Sequence, residues 1–307
     1  MKVYHSTREI PGNTGSIVAV GLFDGLHIGH RAVIEHALLL AHNKNLDAIV
    51  LTFEITEQSH PDAKRTDNRL LTSSLFEKIL CDMGISAVVR LSFESIHMLT
   101  DRAFAQNILV SCLGAQAVCC GENFHFGRGA AGNVEALRRF GHELGFSAEI
   151  LPLANYGGET ISATRIRACL KNGDLESTAA MLGRPYSINF ETASVNSAGF
   201  ATGIHIIKQV FPCEYITPPA GAYASAVNIS GRRIPVVSNI FPSADNTMLC
   251  ETYANNLLGM LCETSLNIEL LSYLHPPYLT DGLSPAEALI NEDFIKSATV
   301  VNLYPIQ

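Results

Sequence analysis

Two histidines three residues apart, His27 and His30, close the run Gly21-Leu22-Phe23-Asp24-Gly25-Leu26-His27-Ile28-Gly29-His30. Apolar Ile17 to Val20 precedes this run. Val33, Ile34, Ala37, Leu38 and Ala41 follow it at helical spacing. A strand, a glycine-punctuated turn and a helix start make a phosphate site from backbone alone. Gly21, Gly25 and Gly29 let the chain bend close to a ligand, and the first helical amides and the helix dipole face an anion. The imidazoles of His27 and His30 add side-chain donors to the same anion.

Two other stretches carry polar groups of a suitable kind. In Gly121-Glu122-Asn123-Phe124-His125-Phe126-Gly127, Asn123 can both donate and accept toward a ring edge. Phe124 and Phe126 either flank a planar ligand or pack beneath the loop. In Ile161-Ser162-Ala163-Thr164-Arg165-Ile166-Arg167, Ser162 or Thr164 can cap a helix, and their hydroxyls also suit a phosphate. Arg165 suits the charge of a phosphate group, unless it is one of two arginines on a plain capped helix. Gly127-Arg128-Gly129-Ala130-Ala131-Gly132 matches G-x-G-x-x-G. It is set off from its strand by a loop and lacks a convincing acid after the next strand, so it fails as a dinucleotide fingerprint.

The elements that must position these residues alternate. Strands are expected at Ile17 to Val20, Asp47 to Phe53, Ala87 to Leu91, Ala117 to Cys120 and Ala148 to Leu153. Helices are expected after Gly29, around Leu75 to Met83, at Asp101 to Leu113 and at Val134 to Leu144. Such alternation predicts an α/β fold with a doubly wound parallel sheet, its ligand at the carboxyl ends of the strands. Short helices at Thr164 to Lys171 and Leu175 to Leu182 close this half, and Ile55 to Asn68 reads as a mobile loop. From Tyr186 the composition shifts to Thr, Ser, Val and Tyr. Tyr223 to Ile229 and Ile234 to Ile240 flank a hairpin signal, Leu266 to Leu274 is a further strand, and Ser284-Pro285-Ala286-Glu287 opens a last helix. The second half is therefore expected to be a small antiparallel β-barrel with one helix. The domains fall at residues 1–186 and 187–307.

With 47% hydrophobic and 16% charged residues, the 307-residue chain is not a largely disordered one. A net charge of −8 supplies no basic field for nucleic acid. The eight cysteines form no C-x-x-C pair and no metal-ligand spacing, and most read as small buried hydrophobes, with reduced thiols. Residues 1–12 lack the apolar core of a signal peptide, and no apolar run is long enough to span a membrane. The expected compartment is the cytoplasm.

GLFDGLHIGH resembles the HxGH signature of nucleotidyltransferases in the form used by bacterial FAD synthetases. The likeness extends through the Gly121–Gly127 loop and the 161–167 motif, which are similar to that family's GxxFxFG and ISSTRIR, and it covers essentially residues 14 to 186. Ala163 replaces a serine, and Glu54-Ile55-Thr56 lacks a proline. The resemblance implies transfer of AMP from ATP to FMN, giving FAD and pyrophosphate, with Mg²⁺ as cofactor. It implies that His27, His30 and Arg165 are catalytic. ATP and its phosphates would be held by Gly21, Phe23, Asp24, Gly25, Gly29, Ser162 and Thr164. FMN would lie against Phe53, Asn123, Phe124 and Phe126. Residues 187 to 307 correspond to the family's riboflavin kinase domain, where Cys250-Glu251-Thr252 resembles the strand bearing its catalytic glutamate. Its GFPTAN segment reads Gly203-Ile204-His205-Ile206-Ile207-Lys208 here, and an arginine is missing after Asn239-Ile240. The resemblance thus implies a kinase fold that has lost its activity. The alternatives are a fully bifunctional enzyme, an adenylyltransferase acting on another phosphate acceptor, or a non-catalytic flavin- or nucleotide-binding regulator.

Overall fold

The computed structural model describes residues 1–11, 15–54, 69–196, 204–211, 215–229, 232–255, 265–278 and 287–303. The expected loop at 55–68 and the start of the last helix at 284–286 lie outside these. Contacts divide the chain into two compact units, 1–66 with 73–162, and 67–72 with 163–307.

The first unit is a six-stranded, wholly parallel sheet. Its strands are β1 (Lys2–Tyr4), β2 (Ser16–Val20), β3 (Asp47–Glu54), β4 (Ala87–Ser92), β5 (Ala115–Gly121) and β6 (Ser147–Leu151), in the order β1-β4-β3-β2-β5-β6. Every residue of β2 is buried, as a central strand covered on both faces requires. Helix α1 (Ile28–Lys44) follows β2, and α2 (Ser73–Met83) leads to β4. After β4 come α3 (Phe93–Ile96) and α4 (Asp101–Ala103), the latter running into a π-helical stretch, Phe104–Cys112. There the Leu113 amide reaches back five residues to the Ile108 carbonyl (3.0 Å), a widening that helical spacing alone did not announce. Helix α5 (Val134–Leu144) runs from an Asn133 cap to a left-handed Gly145, the span read from sequence.

From β2 the chain moves outward through β3 and β4, then returns to the other side of β2 for β5 and β6. The topological switch therefore falls between β2 and β5. The turn after β2 and the Gly121–Gly127 loop after β5 both open at that crevice. Of the cysteines described, Cys119, Cys120 and Cys250 are buried, and burial pushes each thiol up to about 12. Cys81 is exposed, and Cys112 and Cys169 are half-buried, so half of the six cysteines described are buried where most were expected to be.

The second unit opens with α6 (Ala163–Lys171) and α7 (Leu175–Leu182). These follow a short hairpin of β7 (Asn155–Tyr156) and β8 (Glu159–Thr160) in the first unit. A closed antiparallel barrel then forms from β9 (Tyr186–Asn196), β10 (Ile204–Val210), β11 (Gly221–Ile229), β12 (Arg232–Pro242), β13 (Met248–Asn255) and β14 (Ser265–His275). The expected hairpin is β11–β12, registered from Ile229 opposite Arg232 to Gly221 opposite Ile240. Helix α8 (Glu287–Leu303) packs Ile290 against the barrel strands, among Ile204, Ile206, Val237 and Tyr253. Buried Ser297 anchors it, 3.0 Å from the Ser225 carbonyl and 2.7 Å from that of Val236.

The G-x-G-x-x-G match has a packing explanation. Gly127 sits at φ 76°, where a Cβ would lie 2.6 Å from the Asp101 amide, and at Gly132 a Cβ would meet the Phe126 ring at 2.8 Å. These glycines let the loop lie flat on the start of α4. Gly127→Ala is expected to cost about 2–4 kcal/mol of first-unit stability, from left-handed strain plus the clash. Urea unfolding checks this, and a loss under about 0.5 kcal/mol would contradict it.

Candidate active site

The turn leaving β2 is held in conformations that side chains rarely adopt. Phe23 (φ 51°), Gly25 (φ 77°) and Leu26 (φ 43°) are all left-handed. The Phe23 ring folds back into the protein, and a Cβ on Gly21 would stand 3.2 Å from it. This buried ring meets His30 edge-on, with centroids 5.4 Å apart and planes at 88°. Asp24 is half-buried in the same turn.

His27 caps α1. Its Nδ1 accepts the backbone N–H of His30 at 3.3 Å, so the neutral ring carries its proton on Nε2. The His27 and His30 rings stack at 3.5 Å and 20°. Gly29 permits this, because a Cβ there would lie 3.3 Å from the His27 ring. Burial, with the His27 ring beside it, holds His30 well below the ordinary histidine range. The His30 Nδ1 is buried without a hydrogen-bond partner among the described residues. A stacked pair at a helix start, with the buried His30 Nδ1 unpartnered among the described residues, is poised for an anion whose charge would draw protons onto it.

Across the switch point, Asn123 is exposed and Phe124 half-buried in the loop after β5. Phe124 stacks on Phe126 (5.5 Å, 12°), which meets Phe104 (5.5 Å), which in turn meets Phe53 (6.2 Å). Phe126 lies within the core beneath the loop, while Phe124 and Phe53 are partly buried at its margin. Ser162 stands immediately before α6, and Thr164 and Arg165 are in its first turn, in the second unit.

Sequence reading passed over two polar groups at the strand ends. The Thr52 hydroxyl, buried on β3, donates to the Leu22 carbonyl at 3.1 Å. Buried Arg90 on β4 lies over the Phe76 ring (5.4 Å to its centroid), with Glu77 at 3.3 Å and Glu54 at 3.7 Å. A threonine ending an otherwise apolar buried run, and an arginine inside a strand, are the signals that mark them.

In the second unit, Glu251 is buried on β13 opposite Lys208 and Asn239. One oxygen meets the Lys208 ammonium at 3.0 Å, and the other accepts from the Tyr253 hydroxyl at 2.9 Å. Burial and the adjacent carboxylate push the Tyr253 phenol up, so it stays a donor. Gly203 lies outside the described residues, while Ile204 to Lys208, which stand where the family has the rest of its GFPTAN segment, form the first part of β10. Ile204 and Ile206 are buried under α8.

A strand, an HxGH turn and a helix at the switch point of a parallel sheet define the architecture of a nucleotidyltransferase. The FAD synthetase family model matches residues 9–165, and the chain belongs to that family. A bifunctional riboflavin kinase/FMN adenylyltransferase of Buchnera aphidicola (from Acyrthosiphon pisum) is 30% identical over 265 residues, 81% of each chain. The Escherichia coli K12 protein of the same name is 28% identical over 240 residues, 77% of this chain and 75% of its own. That of Buchnera from Schizaphis graminum is 29% identical over 201 residues, and the chain spans 64% of its length. A Streptococcus pneumoniae crystal structure, described as a macrolide-efflux protein, shares the fold over 99% of both chains with a TM-score of 0.78 at 18% identity. No helix among the described residues is long and apolar enough to cross a membrane.

His30 is expected to titrate below the ordinary histidine value of about 6.5 in the free protein and to move upward when pyrophosphate is added. The folded state prefers the neutral ring, so the unfolded chain binds more protons between the two pKa values. The stability His30 contributes is therefore present above about pH 6.5 and is lost as pH falls through the lowered folded value. NMR titration of the ring checks this, and an ordinary free-state pKa contradicts the geometry.

Proposed function

We propose that the chain is an FMN adenylyltransferase, transferring AMP from ATP to FMN. The observation that carries this reading is the stacked His27–His30 pair at the start of α1, placed at the switch point where the Asn123 loop also opens. A phosphate oxygen of FMN attacks the α-phosphorus of ATP. A new P–O bond forms, the bond to the bridging oxygen breaks, and pyrophosphate leaves with its electron pair. The nucleophile is already an anion, so no general base is needed and catalysis rests on positioning and charge stabilisation.

His27 donates from Nε2, and His30, protonated as the triphosphate arrives, spreads positive charge along it. Gly21, Gly25 and Gly29 admit the nucleotide to the backbone amides, with Phe23 packed beneath His30. Ser162, Thr164 and Arg165 are assigned the departing pyrophosphate by their motif. Phe53 and Phe124 offer aromatic surface to the flavin, Phe126 supports Phe124, and Asn123 orients a polar edge.

Among the described residues no three His, Cys, Asp or Glu gather as a metal cage. That donor set fits a hard cation carried mainly by substrate phosphates, with Asp24 as the carboxylate in the turn. Mg²⁺ is our reading of that cation, and when bound it neutralises phosphate charge. We read the compartment as the cytoplasm, which the free thiols of the cysteines described favour.

We read the barrel as a riboflavin kinase fold without turnover. Its support is Glu251, occupied by Lys208 and Tyr253 rather than free to take a proton from a substrate hydroxyl. The names of the relatives favour a second reading, a working kinase.

Incubation with ATP, Mg²⁺ and either FMN or riboflavin separates these readings. FAD from FMN and no product from riboflavin supports the proposal. FMN or FAD from riboflavin establishes the kinase, and no product from either defeats the adenylyltransferase. His30→Ala is expected to lower FAD formation at least about a hundredfold with the fold retained by circular dichroism. Unaltered turnover removes His30 from the site.

A further inference from the structure

The turn that carries Phe23, Gly25 and Leu26 is left-handed at three residues, two of them not glycine. Such backbone costs on the order of 1 kcal/mol or more per side-chain-bearing residue and persists only where its surroundings over-determine it. Two bonds from β3 fasten its beginning. The Gly21 amide donates to the Leu51 carbonyl at 3.1 Å, extending the β2–β3 ladder one residue past β2. At the next step the backbone turns away, and a side chain takes over: the Thr52 hydroxyl donates to the Leu22 carbonyl at 3.1 Å. Thr52 is only 4% exposed and follows four buried apolar residues, Ala48 to Leu51. A hydroxyl placed there must find an acceptor, and Leu22 supplies it. The Leu22 side chain is itself 55% exposed, so its own packing does little to hold the peptide in place. Thr52 is held in turn, because it lies in register with Arg90, whose guanidinium joins Glu54 at the end of β3 to Glu77 on α2.

We propose that Thr52 is a positioning residue for the phosphate turn: its hydroxyl fixes the Leu22 peptide so that Phe23 stays folded beneath His30 and the His27–His30 pair keeps the stacked geometry that receives ATP. Thr52 touches no substrate in this account and acts through Leu22 and Phe23. The proposal rests on the adenylyltransferase reading for its kinetic consequences, but its binding consequence stands separately. Loss of the bond loosens the turn toward ordinary backbone, lets the Phe23 ring leave His30, and weakens the hold on a triphosphate while leaving the aromatic surface at Phe124 untouched.

The test compares wild type with Thr52→Val, which keeps the shape and removes the hydroxyl, and Thr52→Ser, which restores it. Calorimetry with ATP and Mg²⁺ on the full chain is expected to show about a tenfold weaker Kd for Thr52→Val, the scale of one hydrogen bond, and a value within about twofold of wild type for Thr52→Ser. The KM for ATP follows the Kd, while the KM for FMN stays within about twofold. Thr52→Ala deletes the same bond and replaces the valine variant if that one does not fold. Wild-type ATP affinity in a folded Thr52→Val protein, failure of serine to restore affinity, or an equal rise in both KM values overturns the proposal. A wild-type chain that binds ATP but makes no FAD defeats the adenylyltransferase reading alone, and the Kd comparison still decides the role of Thr52. A chain that does neither overturns both.

Discussion

The first amides of α1 need acceptors, and one side chain that supplies one, His27, is also the residue our proposal assigns to the ATP phosphates. By lending Nδ1 to the His30 amide, His27 closes the helix end and fixes which of its nitrogens carries the proton. His30 is brought into stacking contact by the same bond and kept uncharged by the same burial. Capping, tautomer and charge state are thus one constraint. The buried Phe23 ring and the absence of side chains at Gly21 and Gly29 are the conditions under which it can be met.

That constraint depends on where the sheet delivers the chain. Because β2 is buried on both faces and the winding reverses beside it, the turns after β2 and β5 open on the same crevice while their supporting helices diverge. An open crevice between two rigid strand ends is a place where a nucleotide and an acceptor can be held with their reacting groups in line. The aromatic chain from Phe53 through Phe104 and Phe126 to Phe124 stiffens one of its walls from within the core.

Much of this was legible from residue order. The Asn133-to-Gly145 helix, the four inner strands and the histidine turn each announce themselves through spacing and local chemistry, and the barrel hairpin through its turn signal. Other features were hidden for physical reasons. Strand β1 is three residues long and half exposed, too short for a period to register. The π-helical widening at 104–112 answers to packing rather than to any local preference. The neutral state of His30 arises from burial and stacking, neither of which a sequence displays. The Thr52–Leu22 bond joins residues thirty apart, and Arg90 finds its carboxylates on two other elements. Glu251 was visible as an acid on a strand, but its neutralisation by Lys208 required knowing that β10 pairs with β13.

The closure of the barrel has a consequence for how the chain is made. The sheet of the first unit is complete once Leu151 has emerged from the ribosome. In the barrel, β9 hydrogen-bonds to both β10 and β14, and β14 ends at His275, about eighty residues after β9 ends. Until that last strand arrives, β9 and β11 each present an unpaired edge in a run of strands rich in apolar residues. Synthesis of this protein therefore includes an interval in which one half is finished and the other is an open sheet vulnerable to pairing with a neighbouring nascent chain. Loop-closure entropy sets the length of that interval, and the final strand and the helix that seals it bring it to an end.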